Sequence, residues 1–152
     1  MPTFESLSSM QRYIEKATIA SLEYEVANVV EETIRKYLYN NFYAYQPKVY
    51  QRTFEFFNSL TKSRVVKNGD EYEVQVYFDT DKIHANPQTG QHYDGEDISE
   101  YIPWMAEDGM IQPLQSNHRG GFVQDAFTEL ESLNIHIDAL KQALREKGIT
   151  VI

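Results

Sequence analysis

A dense run of aromatic residues between Tyr37 and Phe57 is the feature that most constrains the fold of this chain. Nine of the 21 residues in this run are aromatic, and the whole chain has 20 aromatic residues. Apolar residues before the run recur with the period of a helix, whereas those after it alternate as in a strand. Because each aromatic side chain buries roughly 150–250 Å², we expect the run to join a helical part of the chain to a sheet.

Three interpretations of the aromatic run compete. In the first, the rings fill the hydrophobic core of the chain itself. In the second, the tyrosines form a contact between subunits, since aromatic residues are enriched at the centre of protein interfaces. In the third, the rings stack on the bases of a single-stranded nucleic acid, helped by Lys48 and Arg52. The acidic sequence that follows the run argues against the third interpretation.

Residues from about Met10 to Asn40 have the periodicity of a long helix. Two apolar stripes run side by side along this helix, so more than half of its circumference is apolar. Such a helix must be covered on two sides, either by its own chain alone or partly by another subunit. Ser8 or Ser9 is a suitable N-cap, and Pro47 prevents the helix from continuing much further.

A β-hairpin is the most distinct local prediction. The segments Ser63–Lys67 and Glu71–Phe78 flank Asn68-Gly69, a dipeptide typical of a type I′ turn. On the second segment, the side chains predicted to share one face are Tyr72, Val74, Val76 and Phe78, and polar residues alternate with them. This alternation predicts a sheet with one buried face and one solvated face.

The segment after the hairpin is predicted to be a polar loop followed by a short helix. Residues 79–96 are rich in polar residues and helix breakers, and a short strand is predicted within them at Lys82–Ala85. The helix runs from Asp97 or Ser99 to Glu107. We expect Trp104, the only tryptophan, to anchor this helix against the sheet.

The C-terminal part of the chain is predicted to be helical. Gly120-Gly121 precedes the first helix, and a break within Asn134–Asp138 separates it from a second helix that Asp138 caps. Gly148 ends the second helix. The last residues, Ile149–Ile152, are predicted to form a strand that adds to the sheet edge.

Together these elements predict a single α+β domain over residues 1–152. A long N-terminal helix and a C-terminal helix would pack on a small, mainly antiparallel β-sheet that contains the hairpin at Asn68-Gly69. The chain has no cysteine, and it lacks an apolar run of the ~20 residues that would cross a bilayer. We therefore expect no disulfide bond, no membrane segment and synthesis in the cytoplasm.

The net charge of −9 is distributed unevenly along the chain. Residues 45–68 carry five bases and one acid, whereas residues 69–109 carry eleven acids and one base. One interpretation is a solvated acidic face. The other is a pair of opposite patches that meet between identical subunits. The residues predicted at this subunit interface are Tyr43, Tyr45, Lys48, Tyr50, Arg52, Lys62, Arg64, Glu71, Glu73, Asp79 and Asp81.

The sequence contains little that points to catalysis. His84, His92 and His118 fall in irregular regions and lack the short spacings typical of metal ligands. The serines lack the glycine-flanked turn that exposes a nucleophile. We therefore predict no catalytic, cofactor-binding or metal-binding residue, and no cofactor.

Several short motifs occur in a particular order along the chain. The long helix is followed by Pro47–Thr53, which includes a Tyr-x-Arg-Thr segment, and then by the hairpin that ends in Tyr77-Phe78-Asp79. Gly120-Gly121-Phe122 precedes the last helical region, and Leu144–Val151 closes the chain. In this order the chain resembles the small neck proteins of long-tailed bacteriophages, the head–tail joining and tail-completion group.

The resemblance implies a non-enzymatic structural protein of the virion, made in the host cytoplasm. Such proteins assemble into a ring, here expected to be a hexamer or dodecamer, at the junction between the connector and the tail. The implied partners are other copies of the chain and the neighbouring connector and tail proteins, while DNA passes through the ring without tight binding. Opposite charge blocks suit the head-to-tail contacts of a ring, and an acidic lumen would repel sliding DNA.

Two other classes of function remain open. A small metal-dependent hydrolase could use the histidines and aspartates of the irregular regions, and stoichiometric metal in the purified protein would favour it. An acidic protein that mimics DNA or inhibits a host protein is the other alternative, because a concentrated negative block imitates phosphates.

Overall fold

The computed structural model describes residues 2–43, 54–83, 99–108 and 120–152. It confirms the α+β class, with helices towards both ends of the chain and antiparallel strands between them. The helices are α1 (Leu7–Ala20), α2 (Ala27–Leu38), α3 (Glu55–Asn58), α4 (Ile102–Glu107), α5 (Phe122–Leu133) and α6 (Ile135–Glu146). The strands are β1 (Leu60–Lys62), β2 (Val66–Asn68), β3 (Glu71–Glu73) and β4 (Val76–Phe78).

The predicted N-terminal helix is present and is longer than expected. A π-helical segment, Ser21–Val26, joins α1 to α2, and a second one, Tyr39–Tyr43, follows α2. The backbone stays right-handed helical at these junctions, so one continuous long helix runs from Leu7 to Tyr43. Its N-cap is Ser6, where Ser8 or Ser9 was predicted, because Ser9 is the partner of Ser6 in a capping box.

The first π-helical segment changes the spacing of the buried residues along the long helix. Ala17 is buried before it, Ser21 at its first residue, and Ala27, Ile34 and Leu38 after it. The intervals of four and seven residues fit an α-helix, whereas the six residues from Ser21 to Ala27 do not. The Ser21 hydroxyl donates to the Ala17 carbonyl oxygen at 2.7 Å, a side-chain bond of the kind that bends helices. The extra residue keeps Ala17 and Ala27 buried on both sides of the segment.

The predicted hairpin is confirmed, with a bulge in its middle. Strand β1 pairs with β4 and β2 with β3, both antiparallel, and the register shifts by one residue between the two pairs. Residues 63–65 therefore lie opposite only residues 74–75, which is the arrangement of a β-bulge. Ser63 keeps the two arms connected, since its amide donates to the Gln75 carbonyl oxygen (2.8 Å) and its hydroxyl accepts from the Gln75 amide (3.0 Å).

The turn of the hairpin lies one residue later than predicted. Asn68 pairs with Glu71, so Gly69 and Asp70 form the two-residue loop. Gly69 has a φ of 63°, but among the described non-glycine residues only Phe54 and Asn134 have a positive φ. A type I′ turn centred on Asn68-Gly69 is therefore wrong, since that turn needs positive φ at both central residues.

Most described rings of the aromatic run belong to the core, which confirms the first interpretation for them, whereas Tyr39 is 49% exposed. Phe56 and Phe78 have ring centroids 4.9 Å apart, and Phe78 lies 5.8 Å from Phe122. Tyr43 stacks on Phe54 at 5.0 Å. Buried aliphatic residues of α2, β1 and α5 complete this core cluster. Helix α2 is thus covered by α5 and by β1, and the first π-helical segment by α6.

The helices after the polar loop begin and end at residues with special backbone geometry. Gly121 and Asn134, at φ 65° and 53°, flank α5, so Asn134 and not Asp138 separates the two C-terminal helices. Gly148 ends the last helix with its amide bonded to Arg145 and the Ile149 amide bonded to Leu144. This Schellman motif uses Ile149 as part of the helix end, and the strand predicted at Ile149–Ile152 is absent.

The region after the hairpin agrees with the prediction only in part. A 3₁₀ turn at Thr80–Lys82 includes the first residue of the strand predicted at Lys82–Ala85, and Ile83 after it is extended. The last two residues of the predicted strand lie outside the described part of the chain. The short helix is confirmed, as a 3₁₀ turn at Ser99–Tyr101 followed by α4. In the described ranges, no helix has both the length and the apolar character needed to cross a membrane.

Candidate functional site

The predicted interface residues lie in several different environments. Tyr43 is buried in the core of its own subunit. The Lys62 ammonium contacts the Asn28 amide oxygen and lies 5.6 Å from the ring of Tyr24 on the long helix. Arg64 is exposed in the bulge of the hairpin. Tyr45, Lys48, Tyr50 and Arg52 lie outside the described residues.

The acidic residues predicted at the interface follow the hairpin turn. Glu71 and Glu73 are exposed on β3, and Asp81 is exposed in the 3₁₀ turn after β4. Asp79 is half-buried and pairs with Lys82 at 3.3 Å. The alternation predicted for this arm is confirmed, because Glu71, Glu73 and Gln75 are exposed whereas the residues between them are half-buried.

Folding of the hairpin places the start of the acidic block beside the end of the basic block. Val66 of β2 pairs with Glu73, and Lys67 pairs with Tyr72. The change from basic to acidic residues at the turn separates two blocks of the sequence. In the folded chain the two blocks are neighbours, because β2 pairs with β3. Residues on paired strands are only about 5 Å apart, so opposite charges on them partly cancel within one subunit.

The hairpin is tied to helix α1 by a polar cluster. The Lys67 ammonium lies 2.7 Å from a Glu15 carboxylate oxygen, to which the Tyr72 hydroxyl also donates at 3.1 Å. The hydrogen bond from Lys67 and then that from Tyr72 lower the pKa of Glu15, and the same bond to Glu15 raises the pKa of Lys67. The cluster fixes the position of the tip of the hairpin on α1.

An apolar groove lies between α4 and α5 on the described surface. Its volume is about 460 Å³, and Pro103, Trp104, Val123 and Phe127 contribute apolar walls. Trp104 is 56% exposed and Phe127 49% exposed. The prediction that Trp104 anchors α4 against the sheet is therefore wrong. We call this feature the aromatic groove.

The surroundings of the aromatic groove are acidic. Glu100, in the 3₁₀ turn before α4, and Asp108, the C-cap of α4, each stand four residues from Trp104 along the chain. Glu131 follows Phe127 by four residues on the same face of α5. All three carboxylates are exposed. Residues 99–108 and 120–133 contain six acids and no base. The groove thus combines exposed rings with a negative rim.

The walls of the aromatic groove are held together by Glu107. Its carboxylate accepts from the Val123 amide at 2.8 Å and from the Gln124 amide at 3.1 Å. Its main-chain oxygen accepts from the Gly121 amide at 2.7 Å. A carboxylate at this place satisfies the free amides at the start of α5 and interacts favourably with the helix dipole. Glu107 therefore fixes α4 relative to α5.

Helix α5 is also pinned to the end of the long helix. The Glu129 carboxylate accepts from the Lys36 ammonium at 2.6 Å and from the Tyr37 hydroxyl at 2.5 Å. The hydrogen bond from Lys36, followed by that from Tyr37, lowers the pKa of Glu129. The Asn41 amide group donates to the Asp125 carboxylate at 2.8 Å. The groove is consequently carried on a firmly fixed helix.

Within residues 2–43, 54–83, 99–108 and 120–152, no group of three or more histidine, aspartate or glutamate side chains could hold a metal ion. His84, His92 and His118 lie outside those ranges.

The sequence prediction missed the aromatic groove. Its only sequence signal is the placing of Trp104 midway between two acids, Glu100 and Asp108. A large apolar side chain flanked in this way by charges is more typical of a surface than of a core position.

One protein-family model matches the chain. It is described as YomN and matches residues 6–146, which includes the long helix, the hairpin and both C-terminal helices. No curated protein and no solved structure matches the chain.

Proposed function

This chain belongs to the YomN family, and from that premise we propose that it is a structural protein of the phage neck. The family name is that of a phage-derived protein, which supports a phage origin. In this proposal the chain forms a ring at the head–tail junction, through which DNA passes. A role in the neck is more specific than a phage origin. It is supported by the order of motifs along the chain, which resembles that of neck proteins.

The observation that carries the proposal is the aromatic groove. Trp104 and Phe127 are each about half exposed in the subunit, at 56% and 49%. Exposed aromatic patches mark sites of interaction with other proteins, and tryptophan and phenylalanine are enriched in interface cores. Among the described residues that line the groove, the polar side chains are Glu107 and Gln124, and the Glu107 carboxylate already accepts from two amides of α5. Few polar groups are left to orient a small substrate. It is therefore better suited to a protein contact than to catalysis.

The charge of the chain supports the passage of DNA without binding. A net charge of −9 gives the ring a strongly negative field once several copies assemble. Proteins that grip DNA neutralise its phosphates with clustered bases. In this chain, Lys36, Lys67 and Lys82 are instead paired with carboxylates of the same subunit. A negative lumen would let the duplex slide.

The interface predicted from the charge blocks remains part of the proposal. Arg64, Glu71 and Glu73 are all exposed on the hairpin and available to another copy. Rim charges of this kind mainly steer association and select partners. The hairpin therefore contributes specificity to the ring.

Analysis of phage particles tests the proposed function. We expect mass spectrometry of purified virions to detect the chain at a small fixed number of copies per particle. A phage with the gene deleted should accumulate DNA-filled heads and separate tails, and the gene supplied in trans should restore joined particles. A deletion of the tail-tube gene is the matched control, since it leaves heads without any tails. Absence of the chain from virions, together with normal particles from the deletion, would refute the proposal.

A further inference from the structure

The aromatic groove needs an occupant that is apolar and positively charged. Trp104 and Phe127 offer apolar surface, while the exposed carboxylates nearest to them along their helices are Glu100, Asp108 and Glu131. Burying those carboxylates against an uncharged surface would cost desolvation energy with no compensating attraction. An apolar side chain flanked by lysine or arginine avoids that cost. Arginine also stacks favourably on tryptophan.

One edge of helix α6 has this chemistry. Ile137 is 41% exposed, and Lys141 and Arg145 follow it at intervals of four residues, on the same side of the helix. Neither base pairs with a carboxylate among the described residues, although the Arg145 guanidinium contacts the Val151 carbonyl oxygen at 3.5 Å. We call these three residues the basic edge of α6.

The basic edge cannot enter the groove of its own subunit. Helix α6 ends beside the N-terminal half of the long helix, where Lys147 lies 3.6 Å from Glu25 and accepts from the Tyr13 hydroxyl at 2.6 Å. Helix α5 is fixed at the other half, through Asn41. Glu25 and Asn41 are separated by roughly 24 Å along the helix axis, at 1.5 Å per residue. The groove and the basic edge therefore belong to opposite halves of the subunit.

We propose that the basic edge of α6 from a second copy of this chain occupies the aromatic groove. The inference rests on the proposed function and deepens it, because it names the two surfaces that meet in the ring. The two surfaces differ from each other, so each copy offers a free groove on one side and a free edge on the other. Repetition of such a head-to-tail contact gives a ring when the rotation between successive copies closes.

The hairpin of a neighbouring copy is a less suitable occupant of the groove. Its outer face offers Val66 and Tyr77, both partly exposed, but Glu71 and Glu73 lie on the same face. Those two carboxylates would meet the acidic rim of the groove. Like charges placed together in an interface cost several kcal/mol. Lys141 and Arg145 bring two attractive charges to the rim, against the single carboxylate of the exposed Asp138 beside them on α6.

Trp104 gives a direct readout of this contact, because it is the only tryptophan in the chain. We expect its fluorescence to shift to shorter wavelength, and acrylamide to quench it less, as the protein assembles in a concentration series. Sedimentation measured on the same samples gives the size of the assembly. The double variant Lys141→Glu/Arg145→Glu should associate at least tenfold more weakly and should keep Trp104 accessible. Gln142→Ala, which changes an exposed residue of α6 without changing its charge, is the control and should behave as the wild type.

Charge exchange tests which surfaces meet. The changes Glu100→Lys and Asp108→Lys, added to the Lys141→Glu/Arg145→Glu chain, should restore most of the lost association. Circular dichroism of each variant shows whether it is folded. Since no native cysteine is present, a Phe127→Cys chain can also be mixed with an Ile137→Cys chain and treated with a short bismaleimide. We expect a cross-linked pair from this mixture and much less from Phe127→Cys mixed with Gln142→Cys.

Each alternative result has a clear meaning. Assembly that leaves Trp104 exposed, or cross-links only between identical cysteine positions, would overturn the α6 contact while leaving the neck function intact. A Trp104 already shielded from acrylamide at high dilution would mean that the chain fills its own groove, and would also overturn the contact. A protein that stays monomeric at every concentration would overturn it as well. The detection of the chain in virions tests the neck function separately.

Discussion

The two ends of the long helix are held in different ways. At its C-terminal end, Phe56 and Phe122 are buried against α2 and the second π-helical segment, with exposures of 5% and 0%. At its N-terminal end, Leu7 is 67% exposed and Ile14 39% exposed, and helix α1 is tied to the rest by contacts of Tyr13 and Glu15. The C-terminal end of the long helix, which we call the aromatic end, is stabilised by burial of rings. The N-terminal end, which we call the α1 end, is held by a few polar contacts at the surface.

The difference between the two ends predicts where the stability of the subunit resides. Removal of a large apolar side chain from water contributes roughly 1.5–3 kcal/mol, whereas exposed ion pairs typically contribute up to about 1 kcal/mol. The aromatic end should therefore determine whether the subunit folds. The α1 end can move at low cost and is free to adjust to neighbours in an assembly.

The largest expected effect is at the aromatic end. Phe56→Ala should lower the free energy of unfolding by about 3–5 kcal/mol, because it removes a buried ring that packs against Phe78 and Phe122. Ile14→Ala is the matched change at the α1 end and should cost about 1 kcal/mol or less. Urea unfolding followed by circular dichroism measures both. Equal losses at the two sites would contradict the comparison.

The second-largest loss of stability is expected at Arg35, which makes a polar connection at the aromatic end. The Arg35 guanidinium donates to the carbonyl oxygens of Phe57 (3.0 Å) and Leu60 (2.8 Å) and to the Glu31 carboxylate (2.7 Å). Arg35→Met keeps the apolar part of the side chain but removes these donors. We expect a loss of about 2 kcal/mol, as is typical for hydrogen bonds to charged groups. Unfolding in urea gives the value.

Glu31→Gln is the control for the Arg35 variant. It weakens the ion pair on the helix but leaves the guanidinium bonded to both carbonyl oxygens of the neighbouring segment. Its cost should therefore be clearly smaller than that of Arg35→Met. If the two changes cost the same, the stabilising contact is the ion pair, and the link from the helix to α3 and β1 contributes little.

The hairpin tip, which rests on the α1 end, should be sensitive to backbone strain alone. Gly69 has a φ of 63°, and a Cβ added there would meet nothing within 4 Å. Gly69→Val should lower the free energy of unfolding by about 1–3 kcal/mol, since a β-branched residue is strained at positive φ. Gly69→Asn should cost less, because asparagine tolerates this conformation. Thermal unfolding of both variants tests the expectation, and equal melting temperatures for them would contradict it.

Most of the secondary structure could be predicted because it depends on local patterns. The period of apolar residues gave the long helix, and the alternation from Tyr72 to Phe78 gave the second arm of the hairpin. The register could not be obtained in the same way. The bulge depends on the pairing of Ser63 with Gln75 across the sheet, and such a pairing has no local signal.

The candidate site was less predictable than the fold. The π-helical segment Ser21–Val26 of the long helix was not predicted either. It packs against α6, which lies more than a hundred residues away in sequence. Trp104 looked like a core anchor because large aromatic residues are usually well buried. Its exposure follows from the way Glu107 fixes α4 against α5, which is a tertiary contact. The count of charges along the sequence shows a basic block followed by an acidic block. It does not show that the hairpin brings the end of one beside the start of the other.

The smallest effect that we predict is a loss of stability at the α1 end when the pH is lowered. The hydrogen bond from Lys67, with a second from Tyr72, holds the pKa of Glu15 below its ordinary value of 4.5. A carboxylate with a lowered pKa binds fewer protons in the folded state than in the unfolded state. Its contribution to stability is therefore complete above pH 4.5 and is lost as the pH falls below that value towards the lowered pKa.

Comparison of the wild type with Glu15→Gln isolates this contribution. The Glu129 carboxylate at the aromatic end also has a lowered pKa, so the wild type alone would mix the two effects. We expect the stability difference between the two proteins to be present at pH 7 and to shrink as the pH is lowered through 4.5. The hydrogen-exchange protection factor of the Glu73 amide, on the strand paired with β2, should fall over the same range in the wild type only. A stability difference independent of pH would mean that Glu15 acts through packing, and that the α1 end is held less by charge than its contacts indicate.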